Sequence, residues 1–110
     1  MSKIVGIGAN VCDTLITIPY FPAEDTKLEA TFLTRSGGGP CATGLAAAAK
    51  LGADCAFIGT LTNDSAGKFL KADLKQCRIS TRYVTQISGC TSFSSCILLN
   101  TSSKTRTCMF

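Results

Sequence analysis

Histidine is absent from the 110 residues, and so is tryptophan. Without histidine there is no Ser-His or Cys-His nucleophile pair and no imidazole base, and most zinc sites fall away. Any chemistry must rest on carboxylates, hydroxyls, thiols or backbone amides. Charge is sparse at 16% of residues, and the formal charge of +4 comes from 11 Lys and Arg against 7 Asp and Glu. The basic residues are scattered singly from Lys3 to Arg106 and form no stripe, which argues against a nucleic-acid partner. No run of about 18 apolar residues exists, so no membrane span is expected. The opening Met1-Ser2-Lys3 leads into a strand-like segment, not into a signal peptide's apolar stretch and cleavage site, and a cytoplasmic protein is expected.

Cysteine, in contrast, is plentiful: seven residues, with no C-x-x-C pair among them. Several lie inside apolar runs, as in Asp54-Cys55-Ala56-Phe57-Ile58, and their odd number in a chain without an export signal reads as buried reduced thiols. Hydrophobic residues make up 45% of the chain. A chain of this length and composition can bury one core, and a single α/β unit is expected.

Ile4 to Gly8 reads as a strand whose glycines mark close backbone approach, followed by a loop Ala9 to Cys12 and an extended piece Asp13 to Ile18. Pro19 and Pro22 bracket a turn, and Leu28 to Arg35 alternates loosely like a strand with one wet face. Gly37-Gly38-Gly39-Pro40 is a glycine-rich turn whose proline suits a first helical position. Ala42, Leu45, Ala46 and Ala49 then recur at helical spacing up to a glycine cap at Leu51-Gly52. Asp54 to Leu61 is of strand length. Asn63-Asp64-Ser65 offers N-caps for a second helix carrying Phe69, Leu70, Leu74 and Cys77. A short strand near Tyr83 to Ile87 precedes a hairpin, Thr91 to Leu99 and Lys104 to Phe110 around Asn100-Thr101-Ser102-Ser103, with Phe93, Ser95, Ile97 and Leu99 on one face. Strands alternating with helices imply parallel pairing through crossovers.

Two glycine motifs bear on ligands. Gly6-Ile7-Gly8-Ala9-Asn10-Val11 has only the first two glycines of G-x-G-x-x-G, and an extended segment follows where a helix should start, so a dinucleotide site is disfavoured. A P-loop is excluded, because Gly67-Lys68 precedes Phe69 and has no glycine five residues earlier. Gly37 to Thr43 is more informative. Its glycines let backbone approach a ligand, and the helix starting at Pro40 offers free N–H groups suited to hydroxyl or anionic oxygens. A tight turn with no ligand explains the same residues equally well. Asp13 is the acidic residue at the exit of the first strand, where open α/β sheets bind ligands; a solvated loop carboxylate is its alternative.

The order of these motifs resembles the N-terminal portion of the ribokinase-like (PfkB) carbohydrate kinases. The resemblance has four parts: the opening strand ending Gly8-Ala9-Asn10-Val11-Cys12-Asp13; Gly38-Gly39-Pro40-Cys41-Ala42-Thr43 running through an alanine-rich helix to Lys50-Leu51-Gly52; the strand Ala56-Phe57-Ile58-Gly59; and Asn63-Asp64-Ser65-Ala66-Gly67. It implies an α/β parallel-sheet domain with a small β-lid, here cut to its N-terminal part over residues 1–110, with lid segments at about 14–35 and 91–110. It also implies a sugar held by Asp13, Gly38, Gly39 and Thr43, with Asn10 close by. Many relatives have asparagine where this chain has Thr43, which keeps one donor and acceptor but loses reach.

The family's late Gly-Ala-Gly-Asp-type motif, which supplies the base and the amides facing the transferring phosphoryl group, has no counterpart in the chain. The resemblance therefore implies an ATP-dependent sugar or nucleoside kinase whose ATP and Mg2+ sites lie outside this segment. No catalytic, cofactor or metal residue is assigned within it, and the segment alone is expected to be inactive. The resemblance leaves room for a monovalent cation and for a homodimer through the lid. The alternative is a stand-alone sugar-binding or lid-mediated dimerisation module.

Overall fold

A computed structural model describes residues 3–110. Its elements run β1 (Lys3–Ile7), β2 (Val11–Ile18), β3 (Phe32–Gly38), α1 (Pro40–Lys50), β4 (Asp54–Thr62), α2 (Ser65–Gln76), β5 (Ile79–Ile87), β6 (Ser94–Asn100) and β7 (Thr105–Met109). The chain divides into two compact units, one of residues up to Cys12 with Gly37–Phe93, the other of Asp13–Ser36 with Ser94–Phe110.

The first unit is built on a three-stranded sheet in the order β1-β4-β5. Both pairings are parallel, with Ile4 opposite Cys55 and Cys55 opposite Ile79. Parallel neighbours need a crossover, and α1 and α2 supply the two connecting helices. Strand periodicity sends Cys55, Phe57 and Leu61 to one face of β4, where they join Leu45 of α1 and Leu70 and Leu74 of α2 in the buried core. Each fully buried side chain of this kind contributes roughly 1.5–3 kcal/mol. Gly6 and Gly8 have the close approach expected of them: a methyl group on Gly6 would fall 2.7 Å from Leu45 Cδ1, and one on Gly8 2.8 Å from Cys41 Cβ.

The helix ends follow sequence closely. Pro40 occupies the first turn of α1 behind Gly39, whose φ of 92° only glycine adopts freely. At the other end Gly52 N–H bonds Ala49 O at 3.0 Å and Ala53 N–H bonds Ala48 O at 3.1 Å, the paired bonds of a Schellman motif. Asp64 caps α2 by accepting from Gly67 N–H at 2.8 Å. Beyond the cap residue Cys77 of α2 stands Arg78, a non-glycine residue at φ 61°.

The four-stranded sheet, in the order β3-β2-β6-β7, forms most of the second unit. β6 and β7 make an antiparallel hairpin with Asn100 opposite Thr105 and Cys96 opposite Met109. Asn100 Oδ1 stabilises the turn by accepting from Ser102 N–H at 3.1 Å. Ser95 and Ile97 are buried, as expected of one face of β6, whereas Phe93 precedes the strand and is exposed.

Four expectations need correction. Gly37 and Gly38 are not turn residues: they complete β3, and the reversal is confined to Gly39. β3 starts at Phe32, four residues later than the alternation suggested. β2 takes in Val11 and Cys12, so the loop after β1 is shorter than expected. The cysteines are all free thiols, but only Cys12 and Cys55 are buried, while Cys90 and Cys108 are exposed.

Candidate functional site

Asn10, Gly38, Gly39 and Thr43 belong to the first unit. The residues before β2 meet the start of α1 through backbone: Ala42 N–H donates to Ala9 O at 3.3 Å, and Thr43 N–H to Gly39 O at 3.0 Å. A Cβ on Gly39 would sit 2.6 Å from Ala9 O and 3.3 Å from Asn10 Cα, so only glycine fits this junction. Gly38 is buried at the end of β3, and Thr43 is exposed one turn into α1. No side chain caps α1, and Pro40 has no N–H to satisfy. With the amides of Ala42 and Thr43 already bonded and Pro40 lacking one, the group this junction exposes for a ligand is the Thr43 hydroxyl, which can donate or accept. Asn10 differs from its neighbours. Its Nδ2 is sealed from solvent without a hydrogen-bond partner among the described residues.

Asp13 belongs to the second unit, in β2. It is half-buried, and its Oδ1 accepts from Ser95 Oγ at 2.5 Å. Ser95 is the partner that sequence reading missed, although a serine on the inward face of an otherwise apolar strand signals one. A carboxylate has about four acceptor positions. With Oδ1 oriented by Ser95, Oδ2, which has no hydrogen-bond partner among the described residues, can accept hydroxyl hydrogen bonds.

A second polar cluster lies at the start of α2. Asp64 Oδ1 accepts from Thr62 Oγ1 at 2.5 Å, Gly67 N–H at 2.8 Å and Ser92 Oγ at 3.0 Å, and Oδ2 accepts from Ser92 N–H at 3.1 Å. The hydroxyls of Thr62 and Ser92 also lie within reach of each other, so with one proton apiece they share their donations between Asp64 and one another. These donors, Thr62 first, hold the Asp64 carboxyl well below the usual carboxylate range. Four hydrogen bonds, three on Oδ1 and one on Oδ2, tie Asp64 to β4, α2 and the segment before β6, the pattern of a structural junction. Among the described residues no three Cys, Asp or Glu side chains gather as a metal site, and no helix is long and apolar enough to cross a membrane.

A parallel sheet with its helices, a separate small sheet and a glycine junction before α1 together define a ribokinase-like fold. Comparison with known proteins agrees: the family described as pfkB family carbohydrate kinase matches residues 1–110, and the chain belongs to that family. It is 30% identical over 105 residues to the ketohexokinase of Mus musculus, covering 96% of this chain and 35% of that protein. It is 34% identical over 82 residues to the ribokinase of Haemophilus influenzae, covering 74% and 27%. Among solved structures, Arabidopsis thaliana ribokinase complexed with ribose and ATP matches 98% of this chain and 35% of its own, with a TM-score of 0.79 and 24% identity. Escherichia coli phosphofructokinase-2 in complex with fructose-6-phosphate matches 100% and 35%, with a TM-score of 0.81 and 18% identity. The chain thus spans about a third of the length of the curated relatives it matches.

Proposed function

We propose that the chain supplies the sugar-holding part of an ATP-dependent kinase that transfers a γ-phosphoryl group to a sugar hydroxyl. The observation that carries this reading is Asp13, a half-buried carboxylate with one oxygen fixed by Ser95 and the other without a partner among the described residues, at the position where the family's pattern calls for the acceptor-binding acid. The family's pattern also assigns sugar contacts to Gly38, Gly39 and Thr43, and of these the exposed Thr43 hydroxyl can both donate and accept. Asn10 joins them only if its amide turns outward, since Nδ2 now faces protein. The roles left over, a base on the attacking hydroxyl and donors for the transferring phosphoryl group, require groups this chain lacks. They fall to the part of the relatives beyond the matched third, as do the contacts to ATP and Mg2+. The segment alone is expected to transfer no phosphoryl group.

Calorimetric titration of sugars of the ribose and fructose type tests the reading. A hydrogen bond to a charged group contributes about 1.5–3 kcal/mol, so Asp13→Ala should weaken binding roughly 10- to 150-fold. Asp13→Asn keeps one acceptor oxygen and should be milder. Wild-type affinity in Asp13→Ala would mean that the carboxylate only anchors Ser95.

Exposed apolar side chains of the second unit, Phe32 and Leu33 on β3 with Tyr20 and Phe21 before it, favour a further role for this unit as a lid through which two subunits pair.

A further inference from the structure

Basic residues that stand singly in the sequence do not all stay apart in the fold. Lys68, Lys71 and Lys75 follow one another on α2 at intervals of three and four residues, which brings them onto one arc of about 60° and spreads them over about 10 Å of helix. With Asn63, Ala72 and Gln86 they line a groove of about 230 Å³ beside α2 and the end of β5. Lys68 and Lys75 are exposed, while half-buried Lys71 reaches across the groove and donates from Nζ to Gln86 Oε1 at 3.3 Å. An ammonium carries three donors, so two remain on Lys71 beside the amide donors of Asn63 and Gln86.

No acid balances this charge. Among the described residues none of the three ammonium groups meets a carboxylate within ion-pair distance. Asp73, the single acid of α2, lies roughly opposite them on the helix, against Gly37. Lys68 with Lys71 and Lys71 with Lys75 are thus uncompensated like-charge pairs at i,i+3 and i,i+4, an arrangement that works against the helix carrying it.

We propose that this groove binds a small oligophosphate anion, its three ammonium groups spaced along a chain of two or three phosphates. Three observations select this ligand. A concave surface lined by charge of one sign and rich in donors concentrates anions. Its lining includes no arginine to fork a planar carboxylate, whereas lysine meets phosphate as a point charge. Its volume lies below the about 300–1,000 Å³ of pockets for drug-sized ligands, which fits a compact ion better than a polymer. All the lining residues belong to the first unit, and the inference stands or falls independently of Asp13 and the sugar site.

Calorimetric titration of the 110-residue chain in about 0.15 M salt, where loose surface attraction is screened, tests it with tripolyphosphate, pyrophosphate and orthophosphate as probes. Affinity should fall in that order. Lys68→Gln, Lys71→Gln and Lys75→Gln should each weaken tripolyphosphate binding by about tenfold, the loss of one charge-assisted contact, whereas Lys71→Arg should retain it and Lys104→Gln in the second unit should leave it unchanged. Thermal melts without ligand verify that the variants fold. At matched ionic strength tripolyphosphate should raise the Tm of the wild type and leave that of the triple glutamine variant unmoved. Comparison with ATP, free of Mg2+, then decides whether the phosphate chain is read alone or on a nucleoside. Absence of binding to every probe, or binding indifferent to the three lysines, overturns the proposal. So does a polyglutamate peptide or a single-stranded oligonucleotide that binds more tightly than tripolyphosphate through the same lysines, because the groove would then be part of a macromolecular docking face.

Discussion

Gly44 and Gly67 both lie inside helices, yet replacing each by alanine should shift stability in opposite directions. A Cβ at Gly44 meets nothing within 4 Å. Alanine there removes the backbone entropy cost of a helical glycine and should stabilise by about 1 kcal/mol. A Cβ at Gly67 would fall 1.8 Å from Thr62 O and 2.7 Å from Thr62 Oγ1. The first of these is backbone of a central strand and cannot swing aside, so the start of α2 must move. That displacement costs about 1–3 kcal/mol as overpacking and about 1 more through the lost Asp64 cap, offset by about 1 of helix propensity. The net loss is about 1–3 kcal/mol. Urea denaturation followed by far-UV circular dichroism reads both variants against wild type. If Gly67→Ala were as stable as wild type, the tight junction of β4 and α2 described above would be wrong. If Gly44→Ala were destabilising, α1 would be packed on a face that the structure leaves open.

Two further outcomes concern the same unit. Because the folded-state pKa of Asp64 is depressed, its contribution is fully present above the unfolded carboxylate value near about 4 and is lost as pH falls below it; melts at graded pH should show an acid limb that Asp64→Asn flattens, and an unchanged limb would remove Asp64 as its source. Arg78 holds a left-handed φ of 61° at the end of α2, so Arg78→Gly should raise stability by about 0.5–1 kcal/mol in the same urea assay, whereas a loss would show that the Arg78 side chain holds the helix end more than its backbone strains it.

Local chemistry made much of this fold legible. Pro40, Gly52 and Asp64 mark helix ends because each satisfies or removes a particular backbone group, and the helical spacing of Phe69, Leu70, Leu74 and Cys77 places α2 against a core. β3 was harder. Its glycines look like a turn, but backbone pairing in a sheet needs no side chain, so Gly37 and Gly38 can extend a strand that their composition hides. At the candidate site, strand order pointed to Asp13, while its partner Ser95 lies 82 residues away and no local rule reaches it. Asp64 was legible as a cap but not as the centre of a cluster, because Ser92 is 28 residues distant.

The pairing of β2 with β6 carries a cost in time during synthesis. Ser95 meets Asp13 across 82 residues, and Thr101 N–H meets Ile18 O across a similar span. A ribosome adding roughly 5–20 residues per second needs about 4–16 s between making these partners. Over that interval β2 can pair with β3, but its other edge has no neighbour, and Phe21, Phe32 and Leu33 emerge early beside it. The first unit waits less, since β1 meets β4 across 51 residues, as in the pair Ile4 and Cys55, and β4, α2 and β5 then follow one another directly in the chain. Slowing translation between codons 36 and 94 should therefore lengthen the life of an unpaired, apolar strand edge and raise the demand on chaperones that hold nascent chains.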